Sequence, residues 1–570
     1  MSEFEQLNNK AYGFFDGKSE KNNVVNFIKH HADQNPEGIA FCWVDQSKPI
    51  VWGNSVVTEM QQQKITFGAF YDLICHTAQG LREAGLEHGN RVIIFLPMSL
   101  PLYQTMAAVQ MIGASAVFLD SWARRDQLGV SARIAGAKSM ISFEQAFALC
   151  TGEPDLAAIP IKIVVGPHKG VYSTSLDKLV AAKPFTTVEA VEGNETALIT
   201  FTTGSSGSPK GANRTHQFLA AQHYALNKCI PYTDKDVDLP AFPIFSLNNL
   251  AAGVKTAIPV IDIGRPSEKD PMMLVSQMLS FGITSATLSP AMVVGVAKFC
   301  HEYKTTMPNV RRVITGGAPI SNETLALMKK AVPKSEVWVL YGSTEVEPIA
   351  HIEANDILHP KQGLGNGEGV NVGHFAEGLE VKFIKIRKTS IRLENNDWGQ
   401  LEVSPGSVGE IVVSGLHVCK SYFNDPGAVA KTKIIEANGK VWHRTGDLGN
   451  LDSQGNLWLV GRVHNAIARK DEMLFPVKVE MLLKRHPDVK QAAFVGLPDP
   501  DLGEKAYALV ELKDMAADRS EAILRELEGQ LRDAKIPCDF LGKIENIPMD
   551  PRHHSKVEYG LLRDRLLAKK

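Results

Sequence analysis

The sequence predicts an α/β protein: a large N-terminal domain of helix-covered sheets with a β-rich subdomain, then a small α+β C-terminal domain. Three observations lead there. Up to about Gly342, apolar β-branched runs alternate with segments of helical spacing, the pattern of a sheet with covering helices. From about Gly373 the pattern changes to short strands between turn residues, as in Gly409–Gly415 and Gly455–Gly461. After Gly461-Arg462 a compact tail begins. The expected units are therefore residues 1–461, with the β-rich subdomain at about 373–461, and residues 462–570.

Val24, Phe27, Ile28 and Ala32 are spaced as on one face of a helix that ends before Asn35-Pro36. A polar insertion follows from Asp45 to Lys64. A second helix runs through Phe70, Leu73, Ile74, Ala78 and Leu81 and is closed by Gly85. Arg91–Pro97 reads as a buried strand, Met106 to Gly113 as a helix and Ala116–Asp120 as the next strand. Further strands are expected at Ala137–Ile141, Ile161–Val165, Ser285–Pro290, Val310–Gly317 and Glu336–Gly342. Ligands of such sheets sit at the carboxyl ends of the strands, so these ends should converge. The tail reads as helix Val477–His486, strands Gln491–Gly496 and Ala506–Leu512, and helix Arg519–Arg532, with a hinge near Gly461 to Asn465.

Length requires at least two domains in the 570 residues. A hydrophobic fraction of 44%, a charged fraction of 22% and a net charge of -2 describe a soluble chain with no electrostatic case for nucleic acid or an anionic membrane. The seven cysteines are scattered, without any C-x-x-C, which argues against a disulfide framework or a zinc site and fits a reducing cytoplasm. Met1 to Asn23 carries no apolar leader, and the longest near-apolar run, Met106 to Leu119, is broken by Gln110 and too short to span a bilayer. The expectation is a cytoplasmic protein with small-molecule partners and no integral membrane association.

The chemistry gathers first at Leu198–Gly211, where an apolar run turns into glycines, hydroxyls and one lysine. Gly204, Gly207 and Gly211 let backbone N–H groups turn outward; Thr202, Thr203, Ser205, Ser206 and Ser208 add hydroxyl donors, and Lys210 adds charge. That set suits polyphosphate. It is not a Walker loop, because Gly211 follows the lysine where Ser or Thr would hold magnesium. Taken alone, the segment is equally readable as a solvated turn between a strand and a helix. No G-x-G-x-x-G dinucleotide fingerprint and no G-x-S-x-G elbow occurs. His553-His554 lack further ligands at metal spacing, so no metal is assigned there.

Further motifs follow in order: Gly316-Gly317-Ala318-Pro319, Tyr341-Gly342-Ser343-Thr344-Glu345, His443-Arg444-Thr445-Gly446-Asp447, Gly461-Arg462 and, near the end, Lys556. With the glycine-rich loop they resemble the adenylate-forming superfamily of acyl-CoA synthetases, adenylation domains and luciferases, from about Thr66 to Leu566. The resemblance implies that the loop holds the ATP phosphates, Thr202 to Gly207 and Lys210 included, and that Gly317-Ala318-Pro319 with Tyr341-Gly342 forms the adenine slot. It further implies that Thr344 donates to phosphate, Glu345 ligates Mg²⁺, Asp447 accepts the ribose hydroxyls beside Arg462, and Lys556 bridges the substrate carboxylate and the α-phosphate. Catalysis is thereby assigned to Lys556, Thr344 and Glu345, and the acyl pocket to Phe245, Ser246 and Gly316. The implied reaction is activation of a carboxylic acid of the fatty class to an acyl-adenylate with release of pyrophosphate, then transfer to CoA as the tail domain rotates.

Three departures separate this chain from the common pattern. Ser246 stands in Phe242–Leu247 where many relatives have histidine. The hinge reads Gly461-Arg462-Val463-His464-Asn465 in place of Gly-Arg-x-Asp-Asp, with Ala468 and Asp471 at its later lysine and glycine. The lysine motif reads Pro551-Arg552-His553-His554-Ser555-Lys556 in place of Ser-Gly-Lys. The lysine-motif variant, with the Phe242-Pro243-Ile244-Phe245 run, is similar to the branch of β-lactone synthetases of olefin biosynthesis, which adenylate a β-hydroxy acid and close it on itself without CoA. A nucleotide-binding regulator without catalysis is the alternative of another class.

Overall fold

The computed structural model describes residues 18–45, 47–48, 51–52, 57–119, 125–180, 183–203, 208–261, 267, 269–359, 369–393, 397–513, 518–549 and 557–568. Among these residues the chain forms two large sheets, a two-stranded ladder and a separate five-stranded sheet near the C-terminus.

The first large sheet has seven strands. Its parallel core is Arg91–Phe95, Ser115–Phe118, Ser139–Phe143 and Ile161–Val165, as the alternation predicts. The almost wholly buried helix Leu100–Met111 packs on it and carries apolar residues all round, which is why it has no polar face. At one edge Thr196–Thr203 runs parallel to Ser115–Phe118, and Pro209–Thr215 folds back antiparallel on it with Thr202 opposite Lys210 and Thr203 opposite Pro209. The described residues that flank the glycine-rich motif are therefore the paired strands of a β-hairpin, and the chain returns as a strand before it enters a helix. The returning strand, Pro-Lys-Gly-Ala-Asn-Arg-Thr, is too polar to be read as a strand by its hydrophobic pattern.

The second sheet has fourteen strands and changes character part-way. Ile39–Val44, Lys255–Ala257, Val237–Pro240, Ser285–Leu288, Arg312–Gly316 and Glu336–Ser343 are parallel. From Val346–Glu353 onward every neighbour is antiparallel. Val370–Phe375 is the seam: Ala350 pairs with Phe375 on one side, and Val370 pairs with Leu459 on the other. The stretch expected as a distinct β-rich subdomain is thus hydrogen-bonded into the end of the larger sheet. The expected polar insertion also differs, containing a small ladder of Val51–Trp52 with Val57–Glu59 and then the edge strand Gln62–Thr66.

The C-terminal sheet is built on the long antiparallel pair Val489–Asp499 and Gly503–Leu512. Helices Pro476–Leu483 and Ser520–Asp533 cover it through Val479, Leu483, Ile523, Leu527 and Leu531. Mixed layers of this kind, large domain and small, match the expected fold class.

Candidate active site

The carboxyl ends of the parallel strands do converge. A cleft of about 2390 Å³ is lined by Thr202, Lys210, Gly316–Pro319, Tyr341–Glu345, Asp447, Arg462 and, from the C-terminal region, Val557–Gly560 and Arg563. Gly316 and Gly317 are required by geometry. A Cβ on Gly316 would lie 2.3 Å from the Leu340 carbonyl oxygen of the neighbouring strand, and Gly317 has φ +84°, where an L side chain is strained.

On one wall Asp447 and Arg462 are direct cross-strand partners. The Tyr341 hydroxyl donates to Asp447 Oδ2 at 2.7 Å, and Arg462 Nη1 donates to Oδ1 at 2.9 Å. Both oxygens keep a further lone pair for incoming hydroxyls. Gly446, at φ +71°, turns the chain just before the aspartate.

The next group centres on Glu345. Its carboxylate accepts from the Tyr422 hydroxyl at 2.6 Å, and its carbonyl accepts from the Cys419 N–H at 2.7 Å. Burial pushes this carboxyl up, but the His443 imidazolium present at the low pH where both groups titrate, the Tyr422 hydrogen bond and the Lys433 charge outweigh it and bring it down to about 2. Lys433 is only 3% exposed. Its ammonium donates to the Cys419 carbonyl and, at 3.0 Å, to His443 Nδ1, and lies 5.2 Å from the centre of the Tyr422 ring. Burial lowers the His443 pKa to about 3, so the imidazole is neutral and free to accept that proton. Lys210 reaches the same ring at 6.0 Å.

Thr344 is held from behind: its carbonyl accepts from Arg214 Nη2 at 2.8 Å. Arg214 sits on the returning hairpin strand, so the hairpin and the Thr344-Glu345 segment are tied together. Glu347, two residues on, faces Arg214; burial is the larger effect and raises its carboxyl to about 7.

Phe245 lies on the cleft wall with Phe242 and Ile244. Ser246 does not. It has no exposed surface, and its hydroxyl accepts from Tyr103 at 2.8 Å, so it ties helix Pro243–Ala252 to helix Leu100–Met111. Gly204, Ser205, Ser206, Gly207, Lys556 and the Thr203 side chain lie outside the described residues; described residues on either side, Thr202, Lys210 and Val557, line the cleft. At the hinge, Gly461 has φ +156° and His464 stands among Arg462, Arg563 and Lys388; burial and these cations lower its pKa to about 4.

Tyr422, Lys433 and Arg214 are the site residues that sequence reasoning missed. A buried lysine carries no signature in a single sequence, and Tyr422 lies in a turn-rich run whose contact with Glu345 is long-range.

The chain matches the AMP-binding enzyme family over residues 28–423 and the AMP-binding enzyme C-terminal domain over residues 478–553. It is 30% identical to olefin β-lactone synthetase of Stenotrophomonas maltophilia, over 84% of this chain and 87% of that protein. It is 25% identical to 2-succinylbenzoate–CoA ligase of Bacillus cereus, over 84% of this chain and 89% of that protein. Among solved structures, amide bond synthetase McbA from Marinactinospora thermotolerans superposes with a TM-score of 0.76 at 22% identity, covering 95% of this chain and 99% of that one. O-succinylbenzoate coenzyme A synthetase from Bacillus subtilis, in complex with ATP and magnesium ion, superposes with a TM-score of 0.72 at 21% identity, covering 95% and 99%. With its motif order, its converging strand ends and these matches, the chain belongs to the AMP-binding family of adenylate-forming enzymes.

Proposed function

We propose that the protein joins a hydroxylated fatty acid to AMP and then closes the acyl-adenylate to a β-lactone. In the first step a carboxylate oxygen attacks the α-phosphorus of ATP, the bond to the β-phosphate oxygen breaks and pyrophosphate leaves. In the second, the β-hydroxyl oxygen attacks the acyl carbon, AMP departs and the hydroxyl proton is released. The observation that carries the reading is the cleft itself: a polar wall with Thr202, Lys210, Thr344, Glu345, Asp447 and Arg462 meets an apolar wall containing Phe242, Ile244, Phe245 and Leu340, suited to an alkyl chain.

Roles follow from chemistry. Asp447, already fixed by Tyr341 and Arg462, is poised to accept ribose hydroxyls. Gly316–Pro319 and Tyr341-Gly342 line the slot for a flat base. Thr202, Lys210 and Thr344 face the phosphates, and the resemblance assigns Thr203, Gly204, Ser205, Ser206 and Gly207 to the same phosphate cradle. Lys556 neutralises charge on the transferring group. Glu345 fits a Mg²⁺ ligand: its carboxylate is ionised and is a hard oxygen donor. Among the described residues no group of three or more His, Cys, Asp or Glu could hold a metal, so most of the ion's ligands would come from phosphate and water. Such an ion would neutralise phosphate charge.

Transfer to CoA is the second reading, favoured by the CoA ligases among the relatives. Mass spectrometry of a β-hydroxy acid reaction with and without CoA separates them: a lactone formed without CoA supports the first, a thioester the second. ATP binding without pyrophosphate release would favour a regulator. Among the described residues no helix is long and apolar enough to cross a membrane; we place the protein in the cytoplasm. Residues 462–570 are taken as the unit that turns about Gly461 to Asn465.

A further inference from the structure

Among the described residues, the wall of the cleft behind Thr344 carries buried polar groups with nothing to bond. Arg214 is 4% exposed; Nη2 serves the Thr344 carbonyl, but Nε has no partner. The hydroxyls of Thr200 and Ser343 are likewise buried and unpartnered, and all three residues line the cleft. Thr200 pairs with Ala212 across the hairpin, so Thr200 and Arg214 lie on the same face, one alternate position apart. Glu347 shares this wall and packs on the Gly342 backbone, where an added Cβ would lie 3.2 Å from its own.

Three kinds of group could meet this wall. An alkyl chain would leave the Arg214 N–H and both hydroxyls unpaired out of water, which is costly. A second carboxylate would accept from Arg214 but would face Glu345 and Glu347, both of which act on that guanidinium. A hydroxyl answers both demands, accepting from Arg214 Nε–H and donating to Glu347. Because Arg214 is bonded to Thr344, which faces the phosphates, that hydroxyl belongs close to the reacting carboxylate.

We propose that Arg214, Glu347, Thr200 and Ser343 form a hydroxyl-recognising subsite that selects acids with a hydroxyl near the carboxylate. This rests on the acid-activating reading above and adds the residues that choose the acid. The test measures pyrophosphate release by the full-length protein with a β-hydroxy fatty acid, its unsubstituted counterpart and the ω-hydroxy acid of equal chain length. The wild type should prefer the β-hydroxy acid in kcat/KM by about tenfold or more. Glu347→Gln, Thr200→Val and Arg214→Met should each bring that ratio toward one. Loss of structure alone would lower the rate for all three acids and leave the ratio in place. Equal use of the three acids by the wild type, preference for the ω-hydroxy acid, or a ratio that survives in all the variants would overturn the subsite while leaving acid activation intact. Absence of pyrophosphate release with every acid would remove the acid-activating reading and the subsite with it.

Discussion

Two walls of one cleft treat their polar atoms in opposite ways. On the side proposed for the nucleotide, Tyr341, Asp447 and Arg462 satisfy one another, and Glu345 is held through Tyr422 and the Cys419 N–H. On the side behind Thr344, Arg214 Nε, Thr200 Oγ1 and Ser343 Oγ are left open among the described residues. The difference teaches where each wall spends its stability. The first is preorganised for a ligand with fixed geometry, so binding costs it little rearrangement. In the subsite proposed above, the second accepts an unmet demand until a matching group arrives, which would convert a folding penalty into selectivity.

The sharpest way to break this comparison is Asp447→Ala. Tyr341 and Arg462 would lose their common partner together with the proposed ribose site, and ATP-dependent pyrophosphate release should fall by about 10²–10³-fold. A loss under about threefold would show that the nucleotide wall is not preorganised through this residue. Next comes Lys433→Met, which removes the buried charge beneath Tyr422 and the bond to the Cys419 carbonyl. The Mg²⁺ concentration needed for half-maximal activity should rise by about tenfold, with partial recovery in Lys433→Arg. An unchanged Mg²⁺ dependence in both Lys433→Met and Glu345→Gln would detach this network from the cation.

Ser246→Ala sharpens the boundary of the acid side. It leaves the Tyr103 hydroxyl buried without its partner, so thermal unfolding should register a loss of about 1–3 kcal/mol while preference among acid chain lengths stays as it was. A shift in chain-length preference without loss of stability would put Ser246 back on the pocket wall. The smallest effect is expected away from the cleft. Asp236 accepts from Arg311, from the Thr233 N–H and from the Thr284 hydroxyl; burial opposes these, yet its carboxyl is lowered from 3.8 to about 2. A depressed carboxyl stabilises the fold above its unfolded value and loses that contribution as pH falls through its folded one. Stability should therefore drop between about pH 4 and pH 2, and Asp236→Asn should flatten that part of the acid-unfolding curve.

What the sequence made legible followed what is local. The parallel strands from Arg91 to Val165 and from Ser285 to Ser343, the C-terminal part of helix Leu100–Met111 and the order of motifs could be read because apolar runs and glycines declare themselves within a few residues, whereas the short strands Ile39–Val44, Val237–Pro240 and Lys255–Ala257 could not. The return strand Pro209–Thr215 was not legible, since its pairing with Thr196–Thr203, not its own composition, makes it a strand. The seam at Val370–Phe375 was hidden for the same reason: a short-strand pattern looks alike whether it closes a new sheet or extends an old one. At the site, Tyr341, Glu345 and Asp447 stood out by motif, whereas Arg214 and Lys433 owe their meaning to burial, which one sequence does not display.

That seam has a practical consequence for dissecting the molecule. A chain cut near residue 370 would not yield two finished domains. It would leave Val346–Glu353 on one fragment and Val370–Phe375, still paired with Leu457–Arg462, on the other, so each fragment presents the open row of backbone donors and acceptors that the other normally occupies. Such fragments invite self-association when alone and reassembly when mixed. Because Tyr341 and Asp447 lie on opposite sides of the cut, recovery of pyrophosphate release would report the re-zipping of the sheet itself.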